Sequence, residues 1–153
     1  MTIMRRLGGI EAGLRQLRRQ VPLEIQIADL PDGQRIRIPT IAEALRVKAY
    51  LIVARNQVRD YLDVAALADR IGLDEAAAVL ADIDRYYLDR SGDAESVVST
   101  LVPRLAHPTP RDRPTLGELP RYKGLLERWQ DWDETLGVCA DLAQAILCGG
   151  DIG

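Results

Sequence analysis

Hydrophobic positions follow a two-residue period at about residues 23–38 and a three-to-four-residue period on either side of it. Apolar and polar residues alternate over 23–27 and 35–38, and the sequence PDGQ at 31–34 between them is typical of a tight turn. These segments predict a β-hairpin at about residues 23–38 with one face buried. Two strands alone are marginally stable in water, so the hairpin is expected to pack on helices.

Helical spacing is found on both sides of the hairpin. Upstream, Ile10, Leu14 and Leu17 predict an amphipathic helix over residues 7–20. Downstream, helices are predicted over about residues 40–55, 59–70, 74–87, 94–105 and 122–147, with a break at Asn56 and a proline-rich loop before the last helix. The expected fold is α+β and mostly α. It comprises a short hairpin on a bundle of five to six helices within a single domain, 1–153.

Composition indicates that the chain can bury a hydrophobic core, and it bears on the compartment in which the protein is found. Apolar residues make up 47% of the 153 residues and charged residues 28%, which excludes a disordered chain. No apolar run reaches the ~18 residues of a membrane span, so no membrane contact is predicted. Cys139 and Cys148 lie nine residues apart, which is neither a zinc nor a redox spacing, and both are interpreted as core residues. A reducing cytoplasmic location is expected.

Charge is distributed unevenly along the chain. The net charge is +4 over residues 1–20, zero over 21–72 and −7 over 73–153. The acidic second half, expected to be a helical bundle, argues against a general nucleic-acid-binding surface there. The basic first segment could contact a phosphate backbone, although a solvated amphipathic helix explains it as well.

Candidate chemistry is concentrated between Glu43 and Asp69, where charged residues are embedded in strongly apolar helical segments. His107 is the only histidine in the sequence, which argues against a metal site built from several histidines and against a histidine-dependent catalytic triad. Lys48, in contrast, lies in a strongly apolar helical segment. A chain reversal at Asn56 would bring Asp63 towards Lys48. One interpretation of this pair is a buried ion pair that pins two helices together, and the other is a functional site.

The sequence RIPTIAEALRVKAYLIVARNQVRDYLDVAALADRIG resembles the second half of the AbiEii/AbiGii-type nucleotidyltransferase toxins, a branch of the polymerase β-like superfamily. The resemblance covers about residues 23–72. The later motifs of that family are a Pro and a Glu, then a Lys on a helix, then an Arg followed by Arg-Asp-x-x-Asp. The matching residues in this chain are Pro39, Glu43, Lys48, Arg55, Arg59, Asp60 and Asp63.

The resemblance implies a set of roles. Lys48 would contact the triphosphate of an NTP and Asp63 would support the active site, so these two are the expected catalytic residues. A supporting role falls to Glu43, Arg55, Arg59 and Asp60. The reaction would transfer a nucleotide to an unknown acceptor and would need Mg²⁺ held by carboxylates. A cognate antitoxin is the partner that the family implies.

The chain departs from the family pattern where the metal should bind. No Gly-Ser segment with a following Asp-x-Asp precedes Pro39, and Glu24 is only a weak substitute. The metal ligands are therefore unknown, and the metal-binding half is expected to be missing by truncation or loss. Such a chain would be incomplete without its N-terminal half. Activity as an enzyme stays conditional on that half.

Two alternatives to an incomplete nucleotidyltransferase remain. The chain could be a non-catalytic helical interaction module, pairing with a partner or a second copy through the hairpin edge or the helix of Trp129 and Trp132. It could also be a helical regulator that binds nucleic acid through its basic start. Trp129 and Trp132 themselves are expected to be core residues of the 73–153 bundle.

Overall fold

The computed structural model describes residues 2–7, 10–15, 19, 21–87 and 96–149. The fold is α+β and mostly α, as predicted. The strands are β1 (Thr2–Leu7), β2 (Ile10–Arg15), β3 (Ile25–Asp29) and β4 (Arg35–Pro39). The helices are α1 (Ile41–Ala54), α2 (Val58–Ile71), α3 (Leu73–Ala81), α4 (Val97–Ala106), α5 (Glu127–Gln130) and α6 (Trp132–Gly149), with 3-10 segments at Ile83–Arg85 and Arg113–Arg121.

The N-terminal helix predicted over residues 7–20 is wrong. Residues 2–7 and 10–15 form the antiparallel pair β1–β2, with Thr2 opposite Arg15 and Leu7 opposite Ile10. Ile10 and Leu14 fit a helical period, but Ile10, Ala12 and Leu14 fit a two-residue period equally well. A Gly-Gly doublet between two such runs is a strong hairpin signal, and it decides between the two periods.

The second hairpin confirms the prediction for residues 23–38 in its position but not in its burial. Strands β3 and β4 pair antiparallel from Ile25 opposite Pro39 to Asp29 opposite Arg35. Ile25 and Ile27 are 42% and 57% exposed on one face, and Ile36 is 40% exposed on the other. The expected buried face is therefore wrong: in the two strands only Ala28 and Ile38 are half-buried, and the other strand residues are exposed.

The helices share one hydrophobic core. Helix α6 packs on α2, α3 and α4, and α1 packs on α2, α3 and α4. The core lacks phenylalanine and is built mainly from leucine, alanine and tyrosine. Its largest fully buried apolar side chains are Tyr61, Tyr87, Leu45, Ile52, Leu80, Ile83, Leu101, Leu105, Leu119 and Leu142. None of the helices in the described ranges is both long and apolar enough to cross a membrane.

Two predicted helices are divided in the structure. The helix predicted to reach Tyr87 ends at Ala81 and is followed by the 3-10 segment. The helix predicted over residues 122–147 is interrupted at Asp131, whose carboxylate accepts a hydrogen bond from the backbone N–H of Asp133 at 2.9 Å. An aspartate that caps a helix start in this way competes with an unbroken helix, which explains the division between α5 and α6.

Helices α5 and α6 carry four side chains that were predicted to be core residues, Trp129, Trp132, Cys139 and Cys148. Trp129 is buried, with 5% exposure, and Trp132 packs edge-on against Tyr61 with 6.1 Å between the ring centroids, which confirms their place in the core. Cys139 is buried and burial raises the pKa of its thiol to about 12, which keeps it protonated at neutral pH. Cys148 is exposed, so its assignment to the core was wrong.

Candidate functional site

The reversal between α1 and α2 lies at Asn56, as predicted. Asn56 has a φ of 55°, a left-handed conformation that asparagine tolerates better than most residues. Its side-chain amide donates to the carbonyl of Thr109 at 2.9 Å and accepts from the hydroxyl of Tyr61 at 2.5 Å. The reversal is therefore fixed from both sides. It is held by the proline-rich segment and by a tyrosine of the core.

The proline-rich segment, through Asp112, and helix α4, through Arg104, each secure the same reversal further. Asp112 accepts a hydrogen bond from the backbone N–H of Val58, the first residue of α2, at 2.8 Å. Arg104 donates to the carbonyls of Ile52 and Val53 at 2.6 and 2.9 Å, in the last turn of α1. These contacts satisfy polar groups that helix ends leave without partners. The proline-rich segment is therefore a packed connection.

Lys48 and Asp63 meet across this helix pair. The Lys48 Nζ lies 2.6 Å from the Asp63 Oδ2, and the Arg59 guanidinium is 3.9 Å from the same oxygen. Each side chain of the Lys48–Asp63 pair is 31% exposed, so the expectation of a buried pair is wrong. Solvent screens an ion pair at this exposure, which makes it a modest tie between the helices.

We expect replacement of Lys48 by methionine to lower the free energy of unfolding by no more than about 1 kcal/mol. Asp63 would keep solvent contact and the nearby Arg59, so no charge would be stranded. Chemical denaturation monitored by tryptophan fluorescence measures this change. A loss above about 2 kcal/mol would show that the pair is a main determinant of the α1–α2 packing and would contradict this account.

Arg55 and Asp60 form a closer and less exposed pair. The Asp60 side chain is fully buried and accepts from the Arg55 Nη2 at 2.5 Å and from Nε at 2.9 Å. It also accepts from the backbone N–H of Gln57 at 3.3 Å, the residue that precedes α2. Hydrogen bonding to Asp60 raises the pKa of Arg55. Asp60 thus acts within the helix reversal and faces no open space.

Glu43 lies in a second network, which joins α1 to the β3–β4 hairpin. Its carboxylate is fully buried and is held by the Arg19 guanidinium, whose Nη2 is 3.0 Å from Oε2. Arg46, also nearly buried, lies 3.6 Å from Glu43 and 2.8 Å from Glu24. Two arginines therefore balance two glutamates at the base of the hairpin.

Tyrosines complete this second network. The hydroxyl of Tyr86 donates to Glu24 at 3.1 Å, and the Arg46 guanidinium lies 4.0 Å from the centroid of the Tyr86 ring. Tyr87 stacks on Tyr50, with 4.3 Å between centroids, and its hydroxyl lies 3.0 Å from Arg19. The sequence analysis did not predict that Tyr86, Tyr87 and Arg19 belong to this network. They are 24 to 68 residues from the groups they contact, and no local pattern encodes that contact.

Glu24 gives this network a pH dependence. The Arg46 guanidinium, together with hydrogen bonds from Tyr86 and Thr40, lowers the pKa of Glu24 below its ordinary value of 4.5. A carboxylate with a lowered folded-state pKa stabilises the fold above the unfolded-state pKa, and that stability is lost as the pH falls through the folded-state value.

We therefore expect the stability difference between the wild type and Glu24→Gln to be constant near neutral pH and to shrink below about pH 4.5. Urea denaturation of both proteins across this range measures it. A difference that grows as the pH falls would contradict the assignment of Glu24 to the network.

The seven residues singled out by sequence thus fall into separate sets. Asp63 contacts Lys48 and Arg59, Arg55 contacts Asp60, and Glu24 and Glu43 contact arginines at the hairpin base. Within the described residues no hydrogen bond or ion pair joins Glu24 or Glu43 to the Lys48–Asp63 pair. No group of three or more histidine, cysteine, aspartate or glutamate side chains that could hold a metal occurs in the described part of the chain.

Comparison with known proteins gives a different relationship from the one that the sequence motifs indicated. The chain is 42% identical over 130 residues to the "Heme uptake protein MmpL11" of Mycobacterium tuberculosis H37Rv. It is 40% identical over 129 residues to the "Mycolic acid-containing lipids exporter MmpL11" of Mycolicibacterium smegmatis. It is 36% identical over 132 residues to the "Probable transport protein MmpL11" of Mycobacterium leprae.

These alignments cover most of this chain and little of each relative. They span 82–85% of the chain but only 12–13% of the transport proteins. No protein-family profile matches the chain, and no solved structure matches it. The chain is thus similar to about one eighth of a much longer transport protein.

The resemblance to nucleotidyltransferase toxins was wrong. The proteins that align with this chain at 36–42% identity are named for uptake, export or transport. None of these proteins is named as a nucleotidyltransferase or toxin. The motif was misleading because lysine, arginine and aspartate at those spacings also join two packed helices, as the contacts of Lys48 and Arg55 do. The implied NTP, Mg²⁺, acceptor and antitoxin lose their basis with it.

Proposed function

We propose that this chain is a non-catalytic, mostly helical module of a transport protein of the MmpL11 kind. The observation that carries the proposal is its 42% identity over 130 residues with a segment that makes up 13% of such a protein. Transport of haem or of mycolic acid-containing lipids, for which two of these relatives are named, would belong to the whole protein. The module would support transport by binding to the rest of the transport protein.

The charged residues favour an interaction module over an enzyme. Lys48, Arg55, Asp60 and Glu43 all have partners that hold helices or the hairpin in place, and they do not converge on one cleft. We propose a location on the cytoplasmic side of the membrane, which agrees with an unpaired exposed thiol at Cys148.

The β3–β4 hairpin is the surface that we propose for docking. Ile25 and Ile27 share one face at 42% and 57% exposure, and Arg37 lies opposite Ile27 on the neighbouring strand. Leu23, just before β3, is 49% exposed. A two-stranded sheet that exposes its isoleucines and its strand edges is favoured to bind another chain. Because about seven eighths of each relative lies outside the alignment, we propose that its occupant is the rest of the transport polypeptide.

A co-purification experiment tests this docking role. The tagged chain is mixed with detergent-solubilised M. smegmatis exporter from which the aligned segment has been deleted. We expect the wild-type chain to retain the exporter and the double variant Ile25→Thr, Ile27→Thr to lose it. Threonine keeps the β-branched shape that suits a strand, so folding should be unaffected.

A matched control changes two exposed leucines outside the hairpin. Leu126 and Leu147 are 70% and 62% exposed, and the variant Leu126→Thr, Leu147→Thr should retain the exporter like the wild type. Equal retention by the hairpin variant and the wild type would contradict docking through the hairpin.

A further inference from the structure

A cleft between the start of α2 and the turn at residues 122–125 combines an apolar floor with a cationic rim. It encloses about 360 Å³, at the small end of the range of ligand pockets. Val58, Leu62 and Leu119 line it and are at most 7% exposed. These three side chains form a nearly closed floor, and Tyr122, which is 45% exposed, and the half-buried Leu125 supply accessible apolar surface around it.

The rim of the cleft carries an excess of positive charge. Arg59 lines one side, with its side chain 72% exposed, and Lys123 lines the other. The one carboxylate in the lining is Asp63, which Lys48 binds at 2.6 Å and Arg59 approaches at 3.9 Å. Because these two cations and Lys123 outnumber the one carboxylate, an incoming anion would meet net positive charge.

The backbone fixes this arrangement. Leu125 donates its N–H to the carbonyl of Tyr122 at 3.3 Å, which closes a turn with Lys123 and Gly124 at its centre. Gly124 has a φ of 80°, the conformation that the third position of a type II turn requires. On the other side, Arg59 belongs to the first turn of α2, whose start is held by Asp112.

We propose that this cleft binds an amphiphile with an anionic head group and an alkyl chain. The alkyl chain would lie against Leu62, Tyr122 and Leu125, and a carboxylate or phosphate head would lie between Arg59 and Lys123. An apolar floor alone would favour a neutral hydrocarbon, and a cationic rim alone would favour a free anion. The two together favour a molecule that has both parts. This site goes beyond the docking role and does not depend on it.

Titration calorimetry of the isolated chain tests the site with defined probes. The probes are dodecanoate, dodecyl phosphate, octanoate, dodecanol and inorganic phosphate, each used below its micelle concentration or solubility limit. We expect saturable binding of dodecanoate and dodecyl phosphate, weaker binding of octanoate, and weaker binding still of dodecanol and phosphate. The ratio of the two dodecyl probes tells which head group the rim prefers.

Charge variants separate this site from non-specific adsorption. Arg59→Gln with Lys123→Gln should weaken dodecanoate binding about tenfold, since two charge-assisted contacts are lost. A matched control is Arg85→Gln with Arg121→Gln. These arginines are 76% and 80% exposed, pair with Asp82 and Glu118, and do not line the cleft, so the control should bind like the wild type.

Three results would overturn the proposal. They are the absence of saturable dodecanoate binding, equal affinity for dodecanol and dodecanoate, and unchanged binding by the Arg59, Lys123 variant. Thermal denaturation of each variant shows that it is folded. Because no transport partner is present, a negative result here leaves the docking experiment unaffected.

Discussion

Replacement of Glu43 by alanine is expected to lower the free energy of unfolding by about 3 kcal/mol, because it removes the buried acceptor of two arginines. Arg19 and Arg46 each have side chains only 9% exposed and would be left with one carboxylate, Glu24, between them. The hairpin base should loosen first, since these residues join β3 to α1. Denaturation midpoints and hydrogen exchange in β3 and β4 measure both effects.

Glu24→Ala is the internal control for this prediction. The Glu24 side chain is 42% exposed, so its loss should cost less than about 1 kcal/mol near neutral pH. Equal losses for Glu43→Ala and Glu24→Ala would show that burial does not set the strength of the network. That result would contradict the account.

Replacement of Arg55 by methionine is expected to cost about 3 kcal/mol, because it leaves the fully buried carboxylate of Asp60 without its partner. The second change Asp60→Leu should recover part of the loss, since it removes the stranded charge.

A double-mutant cycle on Arg55 and Asp60 measures this coupling. Urea denaturation of the wild type, both single variants and the double variant supplies the four free energies. If the two effects were additive, the double variant would be less stable than Arg55→Met by the full cost of Asp60→Leu alone. That result would contradict the role of this pair at the helix reversal.

Local sequence signals predicted much of the fold, because they carry their own physical cause. The PDGQ turn placed β3 and β4, and Asn56 placed the reversal between α1 and α2. The same reasoning failed over residues 7–20, where two periods competed, and at Asp131, where a capping aspartate divides the last helix. In both places a short polar or glycine signal outweighed a longer apolar pattern.

The site was less predictable than the fold. The approach of Asp63 to Lys48 followed from the reversal at Asn56 and is seen in the structure. The contacts of Arg19 with Glu43 and Tyr87 join residues distant in sequence, which periodicity cannot pair. The choice between a catalytic set and a structural one depended on whether the charges share a cleft. That is a property of the packed helices and not of the spacing.

The most direct test of the central claim is lipid export by a chimeric transporter. In the M. smegmatis exporter, the aligned segment is replaced by this chain, and the amount of exported mycolic acid-containing lipid is compared with that of the segment deletion. The corresponding M. tuberculosis segment, placed at the same junctions, is the positive control. A module of this kind predicts that the chain restores export lost in the deletion. Export at the level of the deletion, while the M. tuberculosis segment restores it, would contradict the account.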